Sequence, residues 1–137
     1  LCLNFDLPVY LHPADSFLYQ KATHSAHHFQ PQSQALKLPP HPLPLKDGQI
    51  LNIGSKEVQV LHTSGHTPGS VCFYTFPHLF TGDTLFTDGP GRADRAYSSL
   101  PNLQTSLSRL NTLPPNTLIY PGHQEFGLPL SLIAPIL

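Results

Sequence analysis

Residues 62–84 read HTSGHTPGSVCFYTFPHLFTGDT, and this stretch decides the fold. It contains two short apolar runs, Val71–Tyr74 and Leu79–Thr81, separated by a proline-containing turn at residues 76–78. Short β-prone runs on either side of a turn are typical of a β-hairpin. The sequence therefore predicts a hairpin at the centre of the chain.

Three residues with metal-ligand chemistry stand beside predicted strands. His66 lies in a glycine-containing loop before the first run, and Asp83 follows Gly82 after the second. His123 comes later, after the apolar run Leu118–Tyr120. Each residue alone is an ordinary turn or loop residue more often than a ligand. Together, imidazole and carboxylate groups predict a site for Zn²⁺, Fe²⁺ or Mn²⁺, with unrelated loop residues as the open alternative.

His62 precedes His66 by four residues, a spacing that on a helix would form a metal-binding pair. Gly65 and Pro68 lie in and just after that interval and disfavour a helix. We therefore discount this pairing.

The remaining elements are less distinctive. A β-rich run at Leu7–Leu11 is followed by a brief helix that Asp15 could cap, through about Ala22. Residues 24–44 are rich in His, Gln, Ser and Pro, which predicts a surface loop. We expect the three histidines in that loop to be solvated surface residues rather than a metal cluster, because no carboxylate or cysteine accompanies His24, His27 and His28.

The second half has clearer periodicity. Two strands are predicted at Gln49–Ile53 and Glu57–His62, and a glycine-rich loop at Thr87–Arg95 is long enough to line a site. A helix is predicted at Ser98–Leu110, capped by one of its first serines, with Pro101 in its first turn. The leucines at positions 100, 103, 107 and 110 share one face of that helix, which indicates core packing.

Composition excludes several classes of protein. Seven Lys and Arg against eight Asp and Glu provide no basic surface for nucleic acid or an anionic membrane. No apolar run approaches the roughly 20 residues of a transmembrane helix, and no secretory signal is evident, so the cytoplasm is the default expectation. The two cysteines do not form a disulfide framework, and Cys72, within an apolar strand, is expected to be a small buried side chain.

Four segments in one order resemble the metallo-β-lactamase superfamily, closest to its glyoxalase II-like branch. They are His66–Gly69 (HTPG), Phe80–Phe86 (FTGDTLF), Gly91-Arg92 and Tyr120–His123 (YPGH). The resemblance implies an αββα sandwich in an α/β (α+β) fold. It also implies that His66 binds one metal ion, that His123 binds a second, and that Asp83 is the catalytic, bridging ligand. Arg92 and, more weakly, Asp94 would lie near the substrate or behind the ligands.

One motif of that family, HxHxDH, is not found in this sequence. The chain also contains no methionine. We therefore expect residues 1–137 to be a partial, N-terminally truncated metallo-β-lactamase-like domain that carries one sheet and part of the other.

The resemblance implies a hydrolase of a small-molecule thioester or ester, with a glutathione thioester as one substrate class. Its cofactor would be one or two Zn²⁺ ions, or Fe²⁺ or Mn²⁺. Three ligands split between two ions hold each weakly, so the isolated chain is expected to hydrolyse little. Two alternatives remain: a mononuclear iron persulfide dioxygenase of the same fold, which would need His66 and Asp83 but not His123, and an inactive fragment or binding module. The sequence does not specify an oligomeric state.

Overall fold

The computed structural model describes residues 7–29, 41–123 and 127–130. The chain forms two compact units, Leu1–Leu45 and Lys46–Leu137. Neither helix in the described residues combines the length and apolar character that a membrane crossing requires.

The first unit contains two short strands and a helix. Strand β1 is Tyr10–Leu11, helix α1 is Ser16–Phe29 and strand β2 is Leu43–Pro44, and the two strands pair in parallel. A short 3-10 helix, Pro13–Asp15, precedes α1, and the His12 ring caps that turn by accepting from the Ala14 amide.

Two predictions for this unit are wrong. Helix α1 ends at Phe29 instead of near Ala22, so residues 24–29 of the predicted surface loop are helical. No glycine or proline occurs from Ser16 to Phe29, so nothing in the local sequence stops the helix. Strand β2 takes up residues 43–44 of the same predicted loop, whereas residues 30–40 and the side chains of residues 23–29, including His24, His27 and His28, lie outside the described part.

The second unit is built on one six-stranded sheet. Its elements are β3 (Ile50–Ile53), β4 (Lys56–His62), β5 (Val71–Thr75), β6 (His78–Gly82), β7 (Leu85–Phe86), β8 (Gly89–Pro90), α2 (Leu100–Leu110), β9 (Leu118–Pro121) and β10 (Leu128–Pro129). The strand order in the sheet is β10-β9-β6-β5-β4-β3. Strands β6 and β9 are parallel, and the other neighbours are antiparallel.

The predicted central hairpin is confirmed. Strands β5 and β6 pair with Phe73 opposite Phe80, and residues 76–77 form the turn between them. The predicted loop at Thr87–Arg95 is only partly irregular, because β8 within it pairs with β7 to form a second, smaller hairpin.

Helix α2 supplies much of the core. Ser99 caps it by accepting a hydrogen bond from the Asn102 amide, as the serines before the helix predicted. Three of the predicted leucines are buried in one cluster with residues of the sheet, of the β7–β8 hairpin and of the segment after β10. The cluster consists of Leu61, Cys72, Leu79, Leu85, Leu103, Leu107, Leu110, Ile119 and Leu130. Leu100 is 56% exposed, so the prediction of a fourth core leucine is wrong. This residue begins the helix, where the first turn extends past the packed region.

Candidate metal centre

Sheet topology brings the three predicted ligands to one edge. Because β6 and β9 are parallel and pair Gly82 with Pro121, their carboxyl ends lie side by side. Asp83 directly follows the first of these strands, and His123 follows the second by two residues. Strand β5 is antiparallel to β6, so the loop before β5, which contains His66, starts from the same edge.

Asp83 lies between the two histidines. Its Oδ2 atom is 3.6 Å from Nε2 of His66, and its Oδ1 atom is 3.6 Å from Nε2 of His123. The two carboxylate oxygens thus face different imidazoles. Across the described residues, no three His, Cys, Asp or Glu side chains converge closely enough to hold a single ion together. The donor set therefore consists of two imidazole–carboxylate pairs that share Asp83.

The His66 ring is fixed by a backbone hydrogen bond. Its Nδ1 atom lies 2.8 Å from the carbonyl oxygen of Arg92, and only 24% of the side chain is exposed. Since a carbonyl oxygen only accepts, Nδ1 carries the proton, and in the neutral ring Nε2 presents its lone pair to Asp83. Metal-binding histidines in proteins are commonly oriented in this way.

The His123 ring is held differently. Its side chain is 66% exposed, and its ring stacks on Phe86 with centroids 4.6 Å apart and planes tilted by 37°. Phe86 is itself buried in the small β7–β8 hairpin, so it provides a fixed surface for the imidazole.

Two glycines allow the backbone to approach Asp83. A methyl group at Gly122 would lie 2.7 Å from Oδ1 of Asp83, which is closer than van der Waals contact permits. At Gly91 the added carbon would overlap the Asp83 carbonyl oxygen. The Gly82 carbonyl also accepts a hydrogen bond from the Gly122 amide at 2.9 Å. Gly91 therefore requires a residue without a side chain, and a side chain at position 122 would displace the Asp83 carboxylate from this position.

The three residues open onto a cavity of about 240 Å³, lined by His66, Asp83, Phe86, Asp88, Pro90, Arg92 and His123. The segment Thr87–Arg95, predicted to be long enough to line a site, contributes Asp88, Pro90 and Arg92 to this lining. The sequence assigned no individual role to Phe86, Asp88 or Pro90. The signal that could have located them is the second hairpin, which folds residues 85–90 back beside Asp83.

Arg92 and Asp94 occupy different positions relative to this cavity. Arg92 lines it, whereas Asp94 does not. The Asp94 carboxylate accepts two hydrogen bonds from the Arg92 guanidinium, at 3.1 and 2.7 Å. This hydrogen bonding with Arg92 lowers the pKa of Asp94, and the pair holds the guanidinium at the rim.

Two other residues that the sequence singled out lie apart from the cavity lining. The His62 Nε2 atom is 2.8 Å from the carbonyl of Pro68, and the two histidines four residues apart lie on a strand and a loop rather than on a helix. Cys72 is completely buried, as predicted, and burial raises the pKa of its thiol to about 11.

Comparison with known proteins gives consistent matches. One relative is named as a probable polyketide biosynthesis zinc-dependent hydrolase, BaeB of Bacillus velezensis. It is 40% identical over 84 residues, which are 61% of this chain and 37% of BaeB. A probable hydroxyacylglutathione hydrolase of Schizosaccharomyces pombe is also 40% identical over 84 residues, covering 58% of this chain and 32% of the relative. The chain therefore spans about a third of the length of these two relatives.

Solved structures and the family profile extend the match. The crystal structure of TTHA1623 in a di-iron-bound form superposes with a TM-score of 0.82 at 39% identity, covering 98% of this chain and 66% of that one. This likeness confirms the predicted fold class of mixed helices and strands. The profile described as the Metallo-beta-lactamase superfamily matches residues 1–123. The chain belongs to the metallo-beta-lactamase superfamily.

Proposed function

We propose that this chain supplies one side of a two-ion centre in a metal-dependent hydrolase, with Asp83 bridging an ion held by His66 and an ion held by His123. The observation that carries this proposal is the placement of two imidazole nitrogens opposite the two oxygens of one carboxylate, each at 3.6 Å.

The separation favours a metal ion over a shared proton. A distance of 3.6 Å exceeds the roughly 2.7–3.2 Å of an N–H···O hydrogen bond, so the imidazole nitrogen and the carboxylate oxygen are too far apart to share a proton directly. Two ligand atoms bound about 2.1 Å from one tetrahedral Zn²⁺ ion lie about 3.4 Å apart, close to the distance seen here. The hydrogen bond from His66 Nδ1 to the Arg92 carbonyl directs the other ring nitrogen to the same place.

When bound, the ions would supply the positive charge that activates water and offsets charge on a carbonyl oxygen. The chain's own residues hold and shape that region. Asp83 and the two histidines would hold the ions. The Phe86 ring supports His123, and the Arg92 guanidinium, paired with Asp94, forms a charged rim. A small substrate can enter, since the cavity opens to solvent beside these groups.

We assign the substrate to acyl compounds, a thioester or an ester, with a glutathione thioester as the first one to test. The name of the Schizosaccharomyces pombe relative supports a glutathione thioester, and the BaeB name supports zinc-dependent hydrolysis. Because three protein ligands are divided between two ions, we expect the isolated chain to turn over such substrates slowly.

A second candidate is an oxidative iron enzyme of the same fold, such as a persulfide dioxygenase, with one Fe²⁺ on His66 and Asp83. The di-iron form of TTHA1623 favours iron at this kind of site. The position of His123 opposite the second oxygen of Asp83 favours two ions and therefore the hydrolase.

Elemental analysis of the purified chain tests the proposal. After reconstitution we expect zinc or iron in the wild-type chain and its loss in the His66→Ala/Asp83→Ala double variant. Zinc with slow thioester cleavage supports the hydrolase, whereas iron with oxygen uptake on a persulfide supports the second candidate. A chain that binds no transition metal when reconstituted, or one that hydrolyses a thioester equally well in both forms, would overturn the proposed centre.

A further inference from the structure

The carbonyl groups of the loop before strand β5 attach it to helix α2, both at the two serines before the helix and at Ser106 within it. Three consecutive carbonyl oxygens accept hydrogen bonds from that region: Ser64 from the Ser106 hydroxyl at 2.7 Å, Gly65 from the Ser99 amide at 2.8 Å, and His66 from the Ser98 hydroxyl at 2.7 Å. Helix α2 and the two serines before it thus fix the backbone on both sides of Gly65 and up to the His66 carbonyl.

Ser98 has a second contact that Ser106 lacks. Its amide donates to the carbonyl oxygen of Arg95 at 2.9 Å, which closes the turn after the segment that begins at Arg92. The carbonyl of Arg92 accepts from Nδ1 of His66. Ser98 therefore connects the backbone of His66 to the segment whose carbonyl, that of Arg92, contacts Nδ1 of the His66 ring.

We propose that Ser98 is a positioning residue that fixes the direction in which the His66 imidazole points. Its hydroxyl holds the His66 carbonyl, and its amide holds the turn that presents the Arg92 carbonyl to Nδ1. Both contacts turn Nε2 toward Asp83. The expected effect on metal affinity rests on the proposed two-ion centre, whereas the expected effect on the ring does not.

Loss of the Ser98 hydroxyl removes the hydrogen bond to the His66 carbonyl. The peptide unit that contains the His66 carbonyl can then rotate. The hydrogen bond from Nδ1 of the ring to the Arg92 carbonyl then no longer has a fixed geometry. Outer groups that orient a metal ligand typically change metal affinity by about 10–100-fold when they are removed. We expect a loss in the lower part of that range, because the Arg92 carbonyl itself is retained.

The first measurement uses the metal-free chain. Nitrogen-15 NMR of the imidazole, at a pH where the ring is neutral, reports which ring nitrogen carries the proton. In the wild type we expect the His66 proton on Nδ1, and in Ser98→Ala a mixture of the two tautomers. Ser98→Thr keeps the hydroxyl and is expected to restore the wild-type signal. If Ser98→Ala does not fold, Ser98→Cys, with a weaker donor of similar size, takes its place.

The second measurement is the affinity for Co²⁺, followed by its visible absorption. Ser98→Ala is expected to bind about tenfold more weakly than the wild type, and Ser98→Thr within twofold of it. Ser106→Ala is the matched control, because it removes a helix hydroxyl that donates to the Ser64 carbonyl of the same loop and contacts neither the His66 carbonyl nor its ring. We expect this control to lose thermal stability while its Co²⁺ affinity stays within twofold of wild type.

The two measurements separate the two claims. A His66 tautomer in Ser98→Ala that matches the wild type overturns the positioning role, whether or not the chain binds metal. An equal loss of Co²⁺ affinity in Ser98→Ala and Ser106→Ala also overturns it, because the effect would then be general to the loop. A wild-type chain that binds no Co²⁺ overturns the proposed centre, and the tautomer measurement still decides the role of Ser98.

Discussion

The replacement Gly65→Ala tests how closely the His66 loop packs on helix α2. Gly65 has φ = +147°, and a methyl group there would lie 2.5 Å from both Cα and Cβ of Leu103. These neighbours are backbone and the base of a buried side chain, so they cannot move aside without shifting the helix. Gly54→Ala is the matched control, because Gly54 has φ = +60° but no atom within 4 Å of the added carbon.

The magnitudes follow from these two environments. Backbone strain at Gly65 costs about 1–3 kcal/mol and the overlap with Leu103 about 1–3 kcal/mol more, so we expect a loss of about 4 kcal/mol in the free energy of unfolding. Gly54→Ala carries only left-handed strain, about 1–2 kcal/mol. The gain from a less flexible unfolded chain is common to both variants and cancels in the comparison.

Urea unfolding followed by circular dichroism measures both values. We expect the urea midpoint for Gly65→Ala to fall well below that of Gly54→Ala. The dependence of the unfolding free energy on urea concentration should be similar in the two variants. Equal midpoints would refute the close contact between the loop and the helix. Metal affinity gives a second result, since only Gly65→Ala should disturb the residue that follows it, His66.

Three further perturbations probe other parts of the structure. Gly122→Ala places a methyl group against the Asp83 carboxylate that both ions would share. Metal affinity should therefore fall about tenfold, with little change in the unfolding midpoint of the metal-free chain. Unchanged metal affinity would contradict the close approach of residue 122 to Asp83. Asp47→Asn removes the ion pair with Arg109, whose hydrogen bond lowers the Asp47 pKa below 3.8. Because the pKa is depressed on folding, the pair stabilises above that pH and its contribution disappears as the pH falls through the folded pKa. Both groups are substantially exposed, so we expect Asp47→Asn to lose about 0.2–1 kcal/mol in the free energy of unfolding at pH 7. This loss should shrink as the pH falls below 3.8, and a loss that does not change with pH would refute the role of the ion pair. In a Cys2→Ser background, Cys72 should resist a thiol reagent at pH 8 until urea unfolds the chain, and rapid native reaction would contradict its burial.

Local signals in the sequence predicted the elements that depend on local interactions. The β5–β6 hairpin follows from two apolar runs around a turn, and helix α2 follows from its serine cap and the spacing of its leucines. Helix α1 was predicted too short because the prediction relied on the polar composition of residues 24–29. The polar composition of these residues disfavours a buried helix face. It does not end a helix where glycine and proline are absent.

The metal-site candidates were found from residue type and resemblance, but their arrangement was not predicted from local pattern. It depends on the parallel pairing of β6 with β9, which joins segments about 40 residues apart. The same limit applies to Ser98 and Phe86. A serine before a helix predicts a cap, and its contact with the His66 carbonyl exists only once the loop packs on the helix.

The most direct test of the two-ion centre is anomalous X-ray diffraction from crystals of the chain grown with Zn²⁺, collected on both sides of the zinc absorption edge. We expect two anomalous peaks, one between His66 Nε2 and Asp83 Oδ2 and the other between His123 Nε2 and Asp83 Oδ1. No peak beside Asp83, or a single peak that touches only one of the two histidines, would contradict the assignment of Asp83 as a bridge between two ions.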